Sequence, residues 1–207
     1  MNKFDKKLIY AIQKLRHPVL DKFFRVFTHI AEYGAMWTCI AIICFLFQRT
    51  RDLSYQLAMA LIMCSIFGEW LMKLTIRRKR PFTYDDNVKI VIRKPRDFSH
   101  PSGHTSSCFA AATVFLFVDW RIALACYVFA AAIAFSRVYL FVHYPTDVIA
   151  GALWGVAFGV IAVGLYWWLY ERIGTNALFG WEGFGAAQNI TEKLPHYCEN
   201  IAKHLKF

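Results

Sequence analysis

Lys73 and Arg80, the run Ser102-Gly103-His104, and Arg137 with His143 and Asp147 each stand at the end of a hydrophobic run. Cations suit anionic groups, and a phosphoryl transition state spreads charge over oxygens that several fixed donors can hold. Ser102, Gly103 and His104 would fill the first turn of a helix, whose free amides make an anion cradle. Glycine admits an anion close to the backbone there, and Ser102 can cap the helix while donating a hydrogen bond. Two imidazoles, His104 and His143, can divide the roles of nucleophile and general acid near neutral pH. Each piece has a plainer reading: Lys73 can snorkel or pair with Glu69 four residues earlier, Pro-Ser-Gly can be a helix start, and Asp147 can be a cap. The joint occurrence of all three favours phosphoryl chemistry at a membrane face.

The elements needed to position these groups are membrane helices. The chain of 207 residues is 57% hydrophobic, with mean hydropathy +0.36, too apolar for an ordinary soluble domain. A crossing helix needs about 20 apolar residues. Five are predicted: Thr28 to Phe47, Leu53 to Leu74, Ser102 to Val118, Ile122 to Phe141, and Val148 to Tyr170. The expected fold is therefore all-α, a polytopic helical bundle in a single domain over 1–207. Before it, Phe4, Leu8, Ile9, Ile12 and Leu15 recur at helical spacing among lysines, which predicts an N-terminal amphipathic helix. That helix fits lipid contact and packing on other helices equally well. With five crossings, the loops bearing the three segments fall on one face.

The net charge of +10 and pI of 9.4 come mainly from the N-terminal helix and the loop from Arg77 to Arg96. In such a chain anionic head groups are better partners than nucleic acid, which is not expected. Arg77, Arg78 and Lys79 read as a solvated basic loop. The stretch from about Thr83 to His100 fits either a lid or a plain loop. Six cysteines lack ligand spacing and predict neither disulfide nor zinc. Gly151, Gly155 and Gly159 form a small-residue stripe suited to close packing inside the bundle. The tail, 172–207, carries four scattered glycines and a mildly amphipathic stretch from Ile190 to Leu205. Oligomeric state is not legible.

The segments read Lys73-Leu-Thr-Ile-Arg-Arg-Lys-Arg80-Pro81, Pro101-Ser102-Gly103-His104, and Ser136-Arg137 followed by His143 and Asp147. Taken together, from Lys73 to Asp147, they resemble the three signatures of the type 2 phosphatidic acid phosphatase superfamily. The resemblance implies a metal-independent lipid phosphatase without a cofactor. It implies His143 as nucleophile forming a phosphohistidine, Asp147 as the carboxylate orienting it, and His104 as the acid protonating the leaving oxygen. Lys73, Arg80, Ser102, Gly103 and Arg137 would bind phosphate. The chain's small size looks like the bacterial undecaprenyl-diphosphate phosphatases of that superfamily, with phosphatidic acid or phosphatidylglycerol phosphate as alternative substrates. The family implies the extracytoplasmic face of the plasma membrane, whereas the excess of Lys and Arg on the site-bearing face would send that face inward. Vanadium haloperoxidases share the signatures but are soluble. A rival of another class is a non-enzymatic lipid-binding or transport protein, which needs cations but has no use for paired histidines.

Overall fold

A computed structural model describes residues 2–85 and 87–173. Asp86, Cys198 and the predicted tail from Gly174 onward lie outside the described residues. The chain divides into two compact units, residues 1–164 and 165–207, and the described part of the second is the last turns of one helix.

Among the described residues every regular element is helical: α1 (Lys3–Gln13), α2 (Pro18–Ile30), α3 (Ala35–Leu46), α4 (Arg51–Met63), a π-helical stretch (Cys64–Leu71), α5 (Met72–Ile76), α6 (Gly103–Leu116), α7 (Trp120–Tyr139) and α8 (Pro145–Ile173). Short 3₁₀ turns join some of them. Three helical segments are long and apolar enough to cross a membrane: Gln48–Thr83, Trp120–Tyr139 and Pro145–Arg172. The bent pair α2 and α3 makes a fourth if counted as one span, so five crossings were expected and three or four are found; α6, expected as the third, has only 14 residues and is not among them. Leu124, Val128, Leu153 and Val160 turn outward, as a helix in hydrocarbon requires.

The first crossing was expected to begin at Thr28, but Thr28 belongs to α2, a separate helix with Pro18 in its first turn and His17 as its cap. Its sequence alternates lysine and arginine with phenylalanine, so apolar-run reading passed over it. Gly34, at φ 69°, turns the chain from α2 into α3. α2 packs Phe24 at a tilt on Tyr139 and Phe27 edge-on against Phe129 of α7. α1 packs on the bundle, one of the two roles left open for it: Asp5 and Ile9 are buried, while Phe4 and Leu8 are exposed.

α6 has 14 residues, about 21 Å of helix, and is the bundle's central rod. From Thr105 to Phe115 all its residues but Phe109 are buried. The glycine stripe of α8 packs on it, as the spacing suggested. A Cβ on Gly151 would sit 2.6 Å from the Ser102 carbonyl oxygen, and one on Gly159 would sit 2.6 Å from Thr113 Cβ. Gly151→Ala should therefore push apart α8 and the start of α6. Overpacking of this kind costs about 1–3 kcal/mol, readable as a lower thermal midpoint in detergent.

Candidate active site

Each of the three segments is placed by a specific local device. The π-helical stretch before α5 changes the helical register and carries Glu69 and Lys73 to the inner face; π-helical turns are frequent at functional sites. Arg77, left-handed at φ 47°, ends α5 and sends the chain toward Arg80 and Pro81. After α7, the backbone amides of Val142 and His143 both donate to the Arg137 carbonyl, which folds the connection back. Ile9, Phe82, Tyr139, Phe141 and Tyr144 pack around this connection as a buried cluster, so His143 sits on a rigid support.

The segments converge on one cavity of about 270 Å³, walled by Lys73, Arg80, Gly103, His104, Arg137 and His143. Lys73, Arg80 and Arg137 are nearly fully buried, so their charges act in a medium of low polarity. Lys73 Nζ donates to Asp97 Oδ2 at 2.5 Å and lies 3.7 Å from Glu69, so the expected helical pair is the weaker of two contacts. Arg80 spreads its donors over the Asp97 carboxylate (2.8 Å), the Asp97 carbonyl (2.9 Å) and the Val142 carbonyl (2.9 Å). Arg137 Nη1 donates to Thr28 Oγ1 at 2.6 Å, while its Nε is buried with no hydrogen-bond partner among the described residues. An unpaired donor on the wall of a cationic cavity suits an incoming oxygen anion.

Asp97 places a carboxylate between Lys73 and Arg80, the position a phosphate oxygen would take. Burial works against that charge, but Arg80 and Lys73 outweigh it and pull the Asp97 carboxyl down to about 2. Ile92, Arg93, Lys94, Pro95 and Arg96 also line the cavity. Residues 92–97 of the 83–100 loop therefore form part of the site wall.

His143 is fixed in one tautomer. Its Nδ1 lies 2.7 Å from the Ser99 carbonyl, which only accepts, so Nδ1 carries the proton and Nε2 holds the lone pair. Nε2 faces Arg80 Nη1 at 3.1 Å. Burial, then the Arg80 charge, push the imidazole down to about 3, so it is neutral near pH 7. The unfolded chain protonates His143 near 6.5 and the folded one near 3, so stability falls as pH drops through that window. The thermal midpoint of the protein should fall more steeply from pH 6.5 to pH 4 than that of His143→Gln.

Two expected contacts are arranged differently. Asp147 Oδ2 lies 3.8 Å from His143 Nδ1, beyond hydrogen-bond reach, so the carboxylate does not grip the imidazole directly. Its oxygens are taken by Ser99 Oγ (2.5 Å), the Tyr144 amide (3.0 Å), Arg78 Nη1 (2.6 Å) and His100 Nδ1 (3.2 Å). Asp147 holds Ser99, and the Ser99 carbonyl holds His143. Ser102 occupies the N-cap of α6 without a side-chain cap; its amide donates to the Asp147 carbonyl (3.1 Å) and its hydroxyl accepts from Thr105 (3.0 Å). Ser102 and Asp147 are both buried behind the wall that Gly103 and His104 present to the cavity. The Glu69 carboxylate lies against Gly103 where a Cβ would stand, so any larger residue there would displace it. Arg78, read as a solvated basic residue, is instead built into this support, with its guanidinium 4.0 Å from the Tyr144 ring centroid.

Ser99 was invisible in the sequence because it acts through its backbone carbonyl. Asp97, Thr28 and His100 carry no spacing signal either, since tertiary contacts alone bring them in.

Residues 51–171 match the PAP2 superfamily. Over 132 residues the chain is 30% identical to an undecaprenyl-diphosphatase of Sulfolobus acidocaldarius, covering 61% of this chain and 62% of that protein. It is 34% identical over 130 residues to a putative undecaprenyl-diphosphatase of Escherichia coli, covering 59% of this chain and 64% of that one. The chain thus spans less than two thirds of the length of these relatives. The fold is similar to the crystal structure of Aquifex aeolicus LpxE, with a TM-score of 0.69 and 28% identity over 79% of this chain and 96% of that one. With Lys73, Arg80, Gly103, His104, Arg137 and His143 gathered at one cavity of a membrane helical bundle, and residues 51–171 matching the family, the chain belongs to the PAP2 superfamily.

Proposed function

We propose that the protein hydrolyses a membrane lipid phosphate or diphosphate through a phosphohistidine at His143, with undecaprenyl diphosphate as its substrate. The observation that carries this reading is the cavity in which Lys73, Arg80, Arg137, His104 and His143 meet. The terminal phosphate displaces the Asp97 carboxylate and takes its place among Lys73, Arg80 and the free Nε–H of Arg137, with the first-turn amides of α6 alongside. His143 Nε2, released from Arg80, attacks phosphorus; the N–P bond forms as the bond to the lipid oxygen breaks, and His104 protonates that oxygen. His104 then takes a proton from water, which attacks the phosphohistidine and releases inorganic phosphate. The positive charge needed throughout comes from side chains, so turnover is expected to survive EDTA.

A lipid substrate is supported by a groove that continues from the cavity. Glu69, Gly103 and His104 border both the cavity and a crevice reaching Gly34, Thr38, Leu61 and Ile62. Thr38, Leu61 and Ile62 in turn border an apolar groove between α3 and α4, ending near Phe45 and Tyr55. A phosphate in the cavity could leave its hydrocarbon chain along that path. We infer an extracytoplasmic site, as the resemblance implies, and basic residues that bind anions account for the charge excess on that face.

Phosphate release from undecaprenyl diphosphate, phosphatidic acid and phosphatidylglycerol phosphate, each in detergent with EDTA, tests the reading. Undecaprenyl diphosphate should give the highest kcat/KM. A preference for either other lipid would reassign the substrate, and no release from any of the three by folded protein would favour a lipid-binding or transport role.

A further inference from the structure

Asp5 lies on α1, outside the region that matches the family, yet it is completely buried. A carboxylate sealed from water persists only where its lone pairs are satisfied. It accepts from Arg78 Nη2 at 2.5 Å, from the Thr146 amide at 3.0 Å, and from Thr146 Oγ1 at 2.8 Å. The other arm of the same guanidinium, Nη1, donates to Asp147 at 2.6 Å and to Thr146 Oγ1 at 2.8 Å. Arg78 is thus a rigid fork between two buried carboxylates, one from the N-terminal helix and one from the start of α8. From Asp147 the path continues through the Ser99 hydroxyl to the Ser99 carbonyl that fixes His143 Nδ1.

We propose that Asp5 is a positioning residue for His143, acting through Arg78, Asp147 and Ser99. The proposal rests on His143 being the nucleophile. Sharing Arg78 between two carboxylates leaves Asp147 with uncompensated negative charge beside an imidazole that gains positive charge as the N–P bond forms. It also leaves one Asp147 oxygen for Ser99 and the Tyr144 amide. Without the Asp5 charge, the Arg78 fork closes on Asp147 alone, neutralises it and draws it from Ser99. None of the hydrogen bonds of Lys73, Arg80 or Arg137 involves Asp5, so phosphate binding is untouched.

The test is steady-state turnover of the full chain in detergent, comparing Asp5→Asn, Asn2→Ala and His143→Ala. Asn2 caps α1 by accepting from the Asp5 amide but has no part in the side-chain path to His143, so its truncation loosens α1 without changing the charge. Asp5→Asn should lower kcat about tenfold to a hundredfold, the scale of a misplaced reacting group, with KM within about twofold. Asn2→Ala should lower the thermal midpoint yet keep kcat within about twofold. An unchanged kcat in Asp5→Asn, or an equal loss in Asn2→Ala, would overturn the positioning role. If Asp5→Asn does not fold, Arg78→Lys decides: a lysine cannot span both carboxylates, so kcat should fall by a similar factor, and an unchanged kcat would overturn the role. Full turnover by His143→Ala would instead overturn the nucleophile assignment.

Discussion

Replacing His143 with alanine is expected to lower kcat by about 10⁴-fold or more, a barrier increase of over 5 kcal/mol. His143 combines a neutral imidazole, a fixed tautomer and a lone pair on the cavity wall. The Ser99 carbonyl makes Nδ1 the proton carrier, which leaves Nε2 as the only atom able to attack. Burial keeps that nitrogen unprotonated well below neutral pH. His143 is 2% exposed and ringed by packed aromatic side chains, so no neighbour can swing into its place. Folding should be preserved, since the variant removes one hydrogen bond to a backbone carbonyl and one contact with Arg80. A non-enzymatic lipid-binding protein would show no such dependence.

The second large effect is expected at Arg137. Arg137→Ala should lower kcat about 10²- to 10³-fold, the usual consequence of removing one donor from a developing oxyanion. Nη1 is held by Thr28, which orients the guanidinium from α2, while the buried Nε–H remains unspent. Arg137→Lys should restore little, because an ammonium cannot keep the Thr28 contact and present a second donor in a fixed plane. Measuring kcat and KM for both variants separates this role from simple charge attraction, which would show chiefly in KM.

How much of this was readable in the sequence depends on the physical signal each residue leaves. Lys73, Arg137 and His143 interrupt or end hydrophobic runs, where an ionisable group is costly, and so they stood out. The central helix α6 was visible as an apolar run after Pro101, and the α8 glycine stripe was visible as spacing. α2 was not, because a helix that alternates charge with phenylalanine yields no continuous apolar stretch. The support behind His143 was also hidden. Arg78 looks like its neighbours Arg77 and Lys79, and only the fold shows that it points between Asp5 and Asp147. Asp5 itself is one acid among lysines on a short helix. Asp97 gave no sign of reaching Lys73 and Arg80, since a loop's path is set by contacts distant in sequence. Two points of geometry differ from what the resemblance implies: Asp147 stands 3.8 Å from His143 Nδ1 with its oxygens engaged elsewhere, and Ser102 is buried behind the cavity wall.

Attack by His143 on phosphorus leaves a covalent phosphohistidine, which trapping the phosphorylated protein detects directly. Undecaprenyl diphosphate labelled in its terminal phosphate, mixed with protein and quenched in alkali where phosphohistidine survives, should leave label on the native chain. The label should map to His143, increase in His104→Ala if loss of its base slows hydrolysis more than loss of its acid slows transfer, and be absent from His143→Ala. Label at another residue, or native-rate phosphate release by His143→Ala, would contradict it.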